Sequence, residues 1–237
     1  MDFKLTEEQA KIKQMAADFA ANDLAPTILE RDAAGEFPTE LFKKFGKTGA
    51  YGLPYPTEVG GLGGSYMSYV QAVMEVSKVD AAFGIIYSVD TSLYGGSIMN
   101  SSAPIEIKKK FLEPITYGEK IGSFGLTEPG AGSDAAAAKT KAIADGDDYV
   151  IDGTKCFISN MGQEEGDYVV LIALTEPEKK TKGMSAIIVD RGTPGFTVGK
   201  TENKMGLRAA PVSELIFEND RVPRSNLLGQ EGKGFMI

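Results

Sequence analysis

Residues able to do chemistry concentrate in the run Gly125-Leu126-Thr127-Glu128-Pro129-Gly130-Ala131-Gly132-Ser133-Asp134. Gly130 and Gly132 let the backbone turn tightly and present N–H groups with no Cβ to hold a ligand off. Thr127 and Ser133 add hydroxyls that donate and accept. Such a loop suits a planar heterocycle carrying a pyrophosphate. No Gly-Lys-Ser/Thr follows, so it is not a Walker loop. As a dinucleotide fingerprint it has the wrong glycine spacing, and a β-rich region stands where a helix should open. A plain turn after the apolar run 121–126 is the alternative reading.

The rest of the chain narrows the chemistry by what it lacks. It has no histidine and a single cysteine, Cys156. A Ser-His-Asp triad, a Cys-His pair, a histidine zinc site and a thiolate metal cage are therefore excluded, and no metal site is expected. Redox chemistry here must come from an organic cofactor that the protein binds and tunes.

The elements that would position this loop fall into two halves. Thr6-Glu7-Glu8-Gln9 is a capping box, and Ile12, Met15, Ala16 and Phe19 follow at helical spacing. Pro26 is expected to start a second helical piece to about residue 32. Pro38-Thr39 is expected to open a third, with Leu41, Phe42 and Phe45 inward and Gly46 as its stop. After the breaker-rich stretch 51–64, helices are expected over about 67–79 and 81–99, the second apolar nearly all round and so buried. One more is expected over 105–112, stopped by Pro114. From Ile121 the period becomes strand-like. Tyr149-Val150-Ile151 and residues 155–158 read as a hairpin about an Asp152-Gly153 turn. Residues 139–144, 168–174, 184–189, 196–198 and 214–217 read as further strands. The expected fold is α+β, an all-helical N-terminal domain followed by a β-barrel-like middle domain, with the boundary near 117–120.

At 237 residues the chain can bury one large core or two ordinary ones. Its composition, 42% hydrophobic and 24% charged, is that of a globular protein. A net charge of −8 and the absence of a basic stripe argue against nucleic acid. Asp90 and several glycines interrupt the 81–99 run, so no membrane span is expected. The N-terminus, Met1-Asp2-Phe3-Lys4, opens on a helix signal without a secretory h-region. One thiol excludes an internal disulfide and suits a reducing cytoplasm.

The decapeptide as a whole resembles the first signature of the acyl-CoA dehydrogenase family, flavoproteins that oxidise acyl-CoA thioesters at the α,β carbons. A second block, Asp152-Gly153-Thr154-Lys155-Cys156-Phe157-Ile158-Ser159-Asn160, is similar to that family's next flavin-contacting strand. A third, from Lys204-Met205-Gly206-Leu207-Arg208 through Ser213-Glu214-Leu215, is similar to the stretch that follows. Order and spacing fit over the whole chain, most like short-chain, butyryl-type members.

The resemblance implies FAD as cofactor. The backbone of Phe124, Gly125, Leu126 and Thr127 would meet the flavin pyrimidine edge, and Gly132 and Ser133 the pyrophosphate, Ser133 also touching the substrate's pantetheine. Phe157 would cover the dimethylbenzene side where many members carry Trp, and Ile158 is a further expected cofactor-binding residue of this block. Ser159 would donate to N5 where Thr is common. The 81–99 helix, carrying Tyr87, Ser88, Asp90 and Tyr94, would help line the acyl pocket. Electrons would pass to an electron-transferring flavoprotein, and a homotetramer is the family's assembly. The direction, dehydrogenation or enoyl-CoA reduction, stays open.

Residues 229–235 resemble the entrance to the family's C-terminal helical domain, which holds the catalytic base. No residue here matches that base, and the position of Glu128 is structural in the family. The expected division is therefore 1–120 helical, 121–229 β, and 230–237 the start of a truncated helical domain, a chain inactive alone. A non-catalytic fragment that binds a partner protein, and an acyl-CoA oxidase or flavin monooxygenase on the same scaffold, are the alternatives.

Overall fold

The structure, a computed structural model, describes residues 4–237, so the expectation placed on Met1 to Phe3 lies outside the described residues. Helix α1 (Glu7–Phe19) begins at the expected box: the Gln9 N–H donates to Thr6 Oγ1 at 3.2 Å, and the Thr6 N–H to Gln9 Oε1 at 3.0 Å. Pro26 sits in the first turn of the expected second helical piece, but no break in the helical path precedes it. The path stays helical through a π turn, Ala20–Leu24, and a 3-10 turn, Ala25–Thr27, into α2 (Ile28–Ala34). Proline lacks the N–H that a continuing α-helix needs, and the irregular turns absorb that loss.

Helices α3 (Thr39–Gly46) and α4 (Tyr66–Val79) stand where their spacing predicts. The long apolar helix is α5 (Ala81–Ser88), a π stretch (Val89–Gly95) and α6 (Gly96–Asn100) in one run. Helix α7 (Ile105–Thr116) overruns its expected end. Pro114 sits inside its last turn, and Phe111, Leu112 and Ile115 bury the face that holds this turn in place.

Among the described residues seven strands follow: β1 (Gly122–Gly125), β2 (Lys141–Asp145), β3 (Asp148–Ser159), β4 (Tyr168–Leu174), β5 (Met184–Asp190), β6 (Phe196–Thr201) and β7 (Val212–Pro223). They make one sheet, ordered β1-β4-β2-β3-β7-β6, with β5 paired to β4. β1 and β2 run parallel to β4, and the other pairs are antiparallel. The fold is α+β as expected, and the barrel-like half is a curled half-barrel rather than a closed barrel.

The expected hairpin about Asp152-Gly153 is wrong. β3 runs straight through these residues, and the turn lies earlier, at Gly146-Asp147, closing β2 onto β3 with Asp145 opposite Asp148. Both sites carry an Asp-Gly pair. At Gly153 the φ of 150° marks a register shift against β7, and a Cβ there would lie 2.5 Å from Thr140 Oγ1. The glycine serves close packing within a bulged strand, not reversal.

β4 is buried on both faces because each has its own cover. Val169 and Leu171 pack with Ile151, Leu215 and Phe217 inside the curl. Val170 and Ile172 pack outward against Tyr94, Ile98, Leu112 and Ile115 of the helical half. Each such side chain contributes about 1.5–3 kcal/mol by leaving water, so helices and sheet share one core layer. Arg208 adds a polar tie: its N–H donates to Asp32 Oδ1 at 2.8 Å and its Nε to Asp32 O at 3.0 Å.

Candidate functional site

The glycine-rich loop leaves β1 and is held from beneath. Glu128 and Ala131 exchange both backbone hydrogen bonds at 3.0 Å, which closes the tight turn around Pro129 and Gly130. The buried Glu128 carboxylate takes Lys155 Nζ at 2.8 Å, the Lys139 N–H at 2.6 Å and the Thr140 N–H at 2.9 Å. Lys155 also donates to Leu126 O at 3.0 Å. Burial alone would push the Glu128 pKa up, but these hydrogen bonds and the lysine charge outweigh it and hold the carboxyl below its ordinary value. Burial lowers the Lys155 pKa against the pull of Glu128. With both oxygens occupied, Glu128 is a strut of the loop and is not free to take a proton from a ligand. Lys155 is the site residue that motif reading missed. Its signal was a lysine in mid-strand, inside the second block.

β3 brings the second wall. The Cys156 N–H donates to Thr127 O at 2.9 Å, tying loop and strand together. Between Lys155 and Ile158 the register against β7 slips, and Phe157 has φ 59°. An L-residue there is strained by about 1–3 kcal/mol, a cost that recurs where a bulge re-aims a side chain. The result is a phenyl ring 63% exposed between the buried Lys155 and Ile158. Ile158 itself points into the core of the curl, so only its backbone faces outward. Burial raises the pKa of the half-buried Cys156 thiol, which leaves it in its neutral form.

Around this wall lie donors without partners. Among the described residues, the N–H groups of Leu126, Thr127, Gly132 and Ser133 donate to no backbone carbonyl. The hydroxyls of Thr127, Ser133 and Ser159 likewise make no hydrogen bond among them. Leu126, Thr127 and Ser159 are half-buried, and Gly132 and Ser133 are exposed. An added Cβ at Gly130 or Gly132 would meet nothing within 4 Å, so the loop surface is open. Gly125 is buried in the sheet, where a Cβ would come 3.1 Å from Val169 Cγ2, and Phe124 is half-buried on the outer face. Loop and strand, joined through Cys156 to Thr127 and Lys155 to Leu126 and Glu128, thus present an exposed aromatic ring, unpartnered hydroxyls and N–H groups that meet no backbone carbonyl. That surface suits a flat, electron-poor ring system with an anionic tail.

On the long helix the expectation divides. Tyr87, Asp90 and Tyr94 are fully buried, with the two tyrosine hydroxyls donating to Ala50 O and Phe111 O. Ile85, Ser88, Ser92 and Leu93 form its accessible face. Among the described residues no cluster of three His, Cys, Asp or Glu could hold a metal ion, and no helix is long and apolar enough to cross a membrane.

The family description "Acyl-CoA dehydrogenase, N-terminal domain" matches residues 6–119, and "Acyl-CoA dehydrogenase, middle domain" matches residues 123–219. The chain is 47% identical over 237 residues to the short-chain specific acyl-CoA dehydrogenase of Clostridium acetobutylicum, covering all of this chain and 62% of that protein. It is 48% identical over 239 residues to the acryloyl-CoA reductase (NADH) of Anaerotignum propionicum, covering all of this chain and 60% of that protein. Among solved structures, a chain of the electron transferring flavoprotein structure from Acidaminococcus fermentans superposes with a TM-score of 0.96 at 47% identity, over all of this chain and 61% of that one. The sequence spans about three fifths of the length of the relatives it matches.

Proposed function

Because the chain belongs to the acyl-CoA dehydrogenase family, as its N-terminal and middle domains, we propose that it forms the cofactor-facing part of a short-chain acyl-CoA dehydrogenase. The cofactor is FAD, which when bound takes up the β hydrogen of the thioester as hydride, or returns it in enoyl-CoA reduction. Relatives of both kinds stand equally near: a short-chain dehydrogenase and an acryloyl-CoA reductase.

The observation that carries this reading is the exposed Phe157, held at φ 59° beside the half-buried, unpartnered N–H groups of Leu126 and Thr127. These residues fit the flavin. Phe157 would cover one side of the ring, the Phe124-to-Thr127 backbone and the Thr127 hydroxyl would bond its polar edge, and Ser159 would donate to its central nitrogen. The Ile158 backbone would run alongside. Gly132 and Ser133 would take the pyrophosphate, and Ser133 would reach the pantetheine of the substrate. Donors placed where charge develops help most in the transition state. Glu128 is committed to Lys155, so the α-proton acceptor is proposed to come from a segment outside this sequence.

We read residues 1–120 as the helical domain, 121–229 as the β-domain and 230–237 as the start of a further helical one. An electron-transferring flavoprotein is the proposed electron partner, on the likeness to the Acidaminococcus structure. A homotetramer in the cytoplasm completes the reading, the latter on the single thiol. The test is titration of FAD with this chain, followed by flavin fluorescence. Quenching that weakens in Phe157→Ala supports the site. No quenching by the wild-type chain, or equal quenching by both proteins, overturns it.

A further inference from the structure

Gly122, the first residue of β1, has both of its backbone polar groups taken by side chains. Its N–H donates to Asp90 Oδ1 at 2.7 Å, and its carbonyl accepts from Asn160 Nδ2 at 3.3 Å. Asn160 Nδ2 also donates to Ile86 O at 2.9 Å. Ile86 and Asp90 stand one turn apart on the long helix, so both arms of this clamp root in the same place. Asp90 lies in the first turn of the π stretch there, a local widening that in other proteins marks functional positions. Asn160 directly follows Ser159 and holds φ 64°, a conformation asparagine tolerates better than most residues. The other side of Gly122 is closed by Tyr94, whose ring would lie 2.3 Å from an added Cβ. All the groups involved are fully buried.

Two residues beyond Gly122, β1 delivers Phe124 to Thr127, and one residue before Asn160 lies Ser159. We propose that Asp90 is a positioning residue, which with Asn160 sets both edges of the flavin surface from a single turn of the long helix. This rests on the flavin reading above. The carboxyl is matched to the task as a neutral acceptor. Burial pushes its pKa well above the ordinary aspartate value, against the lowering by the Gly122 N–H, and Oδ2 has no partner among the described residues. An asparagine of the same shape can replace it, whereas alanine frees the strand end.

The test uses this chain with FAD in excess. Asp90→Ala is expected to raise the FAD Kd about 5- to 10-fold and to shift the visible bands of the bound flavin, and Asp90→Asn to restore both. A general loss of stability would leave the bands of the bound fraction in place. If Asp90→Ala does not fold, Asn160→Gly, which suits φ 64° and removes the other arm, is expected to show the same band shift. Wild-type bands and Kd in the folded variants overturn the proposal. If the wild-type chain takes up no FAD, the flavin reading fails by itself, and the clamp is read by amide hydrogen exchange. Asp90→Ala should then speed exchange over residues 122–126 by about 10-fold relative to β5, and equal rates in the two strands overturn it.

Discussion

Lys155 Nζ lies 2.8 Å from Glu128 Oε1, and both side chains are almost wholly withdrawn from water. The pair joins the middle of β3 to the glycine-rich loop, so the loop's shape depends on a charge 27 residues away in sequence. Its worth lies in geometry more than in net energy, since desolvating two charges offsets much of their attraction.

Removing one partner should therefore be costly. Lys155→Met leaves the Glu128 carboxylate buried with only its two backbone donors, and should lower stability by about 3–5 kcal/mol. Adding Glu128→Gln should recover part of that loss. Urea denaturation of the single and double variants checks it, and a single-variant loss under 1 kcal/mol would mean the pair is not buried as described.

Gly132→Val should separate folding from cofactor binding. An added Cβ at Gly132 meets nothing within 4 Å, so circular dichroism and Tm should match the wild type, while FAD affinity falls by more than 10-fold. A variant that binds FAD normally would place the pyrophosphate elsewhere.

Ser159→Ala removes one proposed donor from a half-buried position. Loss of a single hydrogen bond, about 1 kcal/mol, should raise the FAD Kd roughly 5-fold without changing Tm by more than a degree or two. Fluorescence titration reads it. An unchanged Kd removes Ser159 from the site.

Asp220 sets a pH dependence in the β-domain. Its carboxyl is fully buried, neither oxygen has a partner among the described residues, and burial pushes its pKa up to about 7. The folded value stands above the unfolded one, about 3.9, so folding takes up a proton between them. The stability that depends on this proton is complete below about pH 4 and is lost as pH rises through about 7, where the fold must bury an unpaired charge. Asp220→Asn should thus flatten this part of the profile and stabilise the protein at pH 8, by a few kcal/mol at most, with little effect at pH 4. Thermal melts across pH 4–8 test this, and parallel profiles for the two proteins would contradict it.

Acyl-CoA turnover by this chain should be undetectable with an artificial electron acceptor, because its loop carboxylate is locked to Lys155 and no other group is assigned as base. Robust turnover would return Glu128 and the remaining carboxylates to consideration.

What the sequence determined by itself is local. Thr6 and Gln9 cap α1 because four residues suffice to make the box. The run 168–174 is β4 to the residue because unbroken apolar β-formers need little context. The family was legible too, because the types and order of the residues in the runs 125–134 and 152–160 match a known pattern. Tertiary structure decided the rest, wherever the partner is distant. Asp152-Gly153 and Asp145-Gly146 carry the same turn signal. Only packing of Thr140 over Gly153 and pairing with β7 make the first a bulge within a strand and leave the second as the turn. Pro114 stays inside α7 because Leu112 and Ile115 are buried against the outer face of the sheet, which outweighs a local helix breaker. Lys155 finds Glu128, and Asp90 finds Gly122, across 27 and 32 residues. A buried charge or carboxyl has no local periodicity to announce its partner, so only the closed fold reveals that it has one.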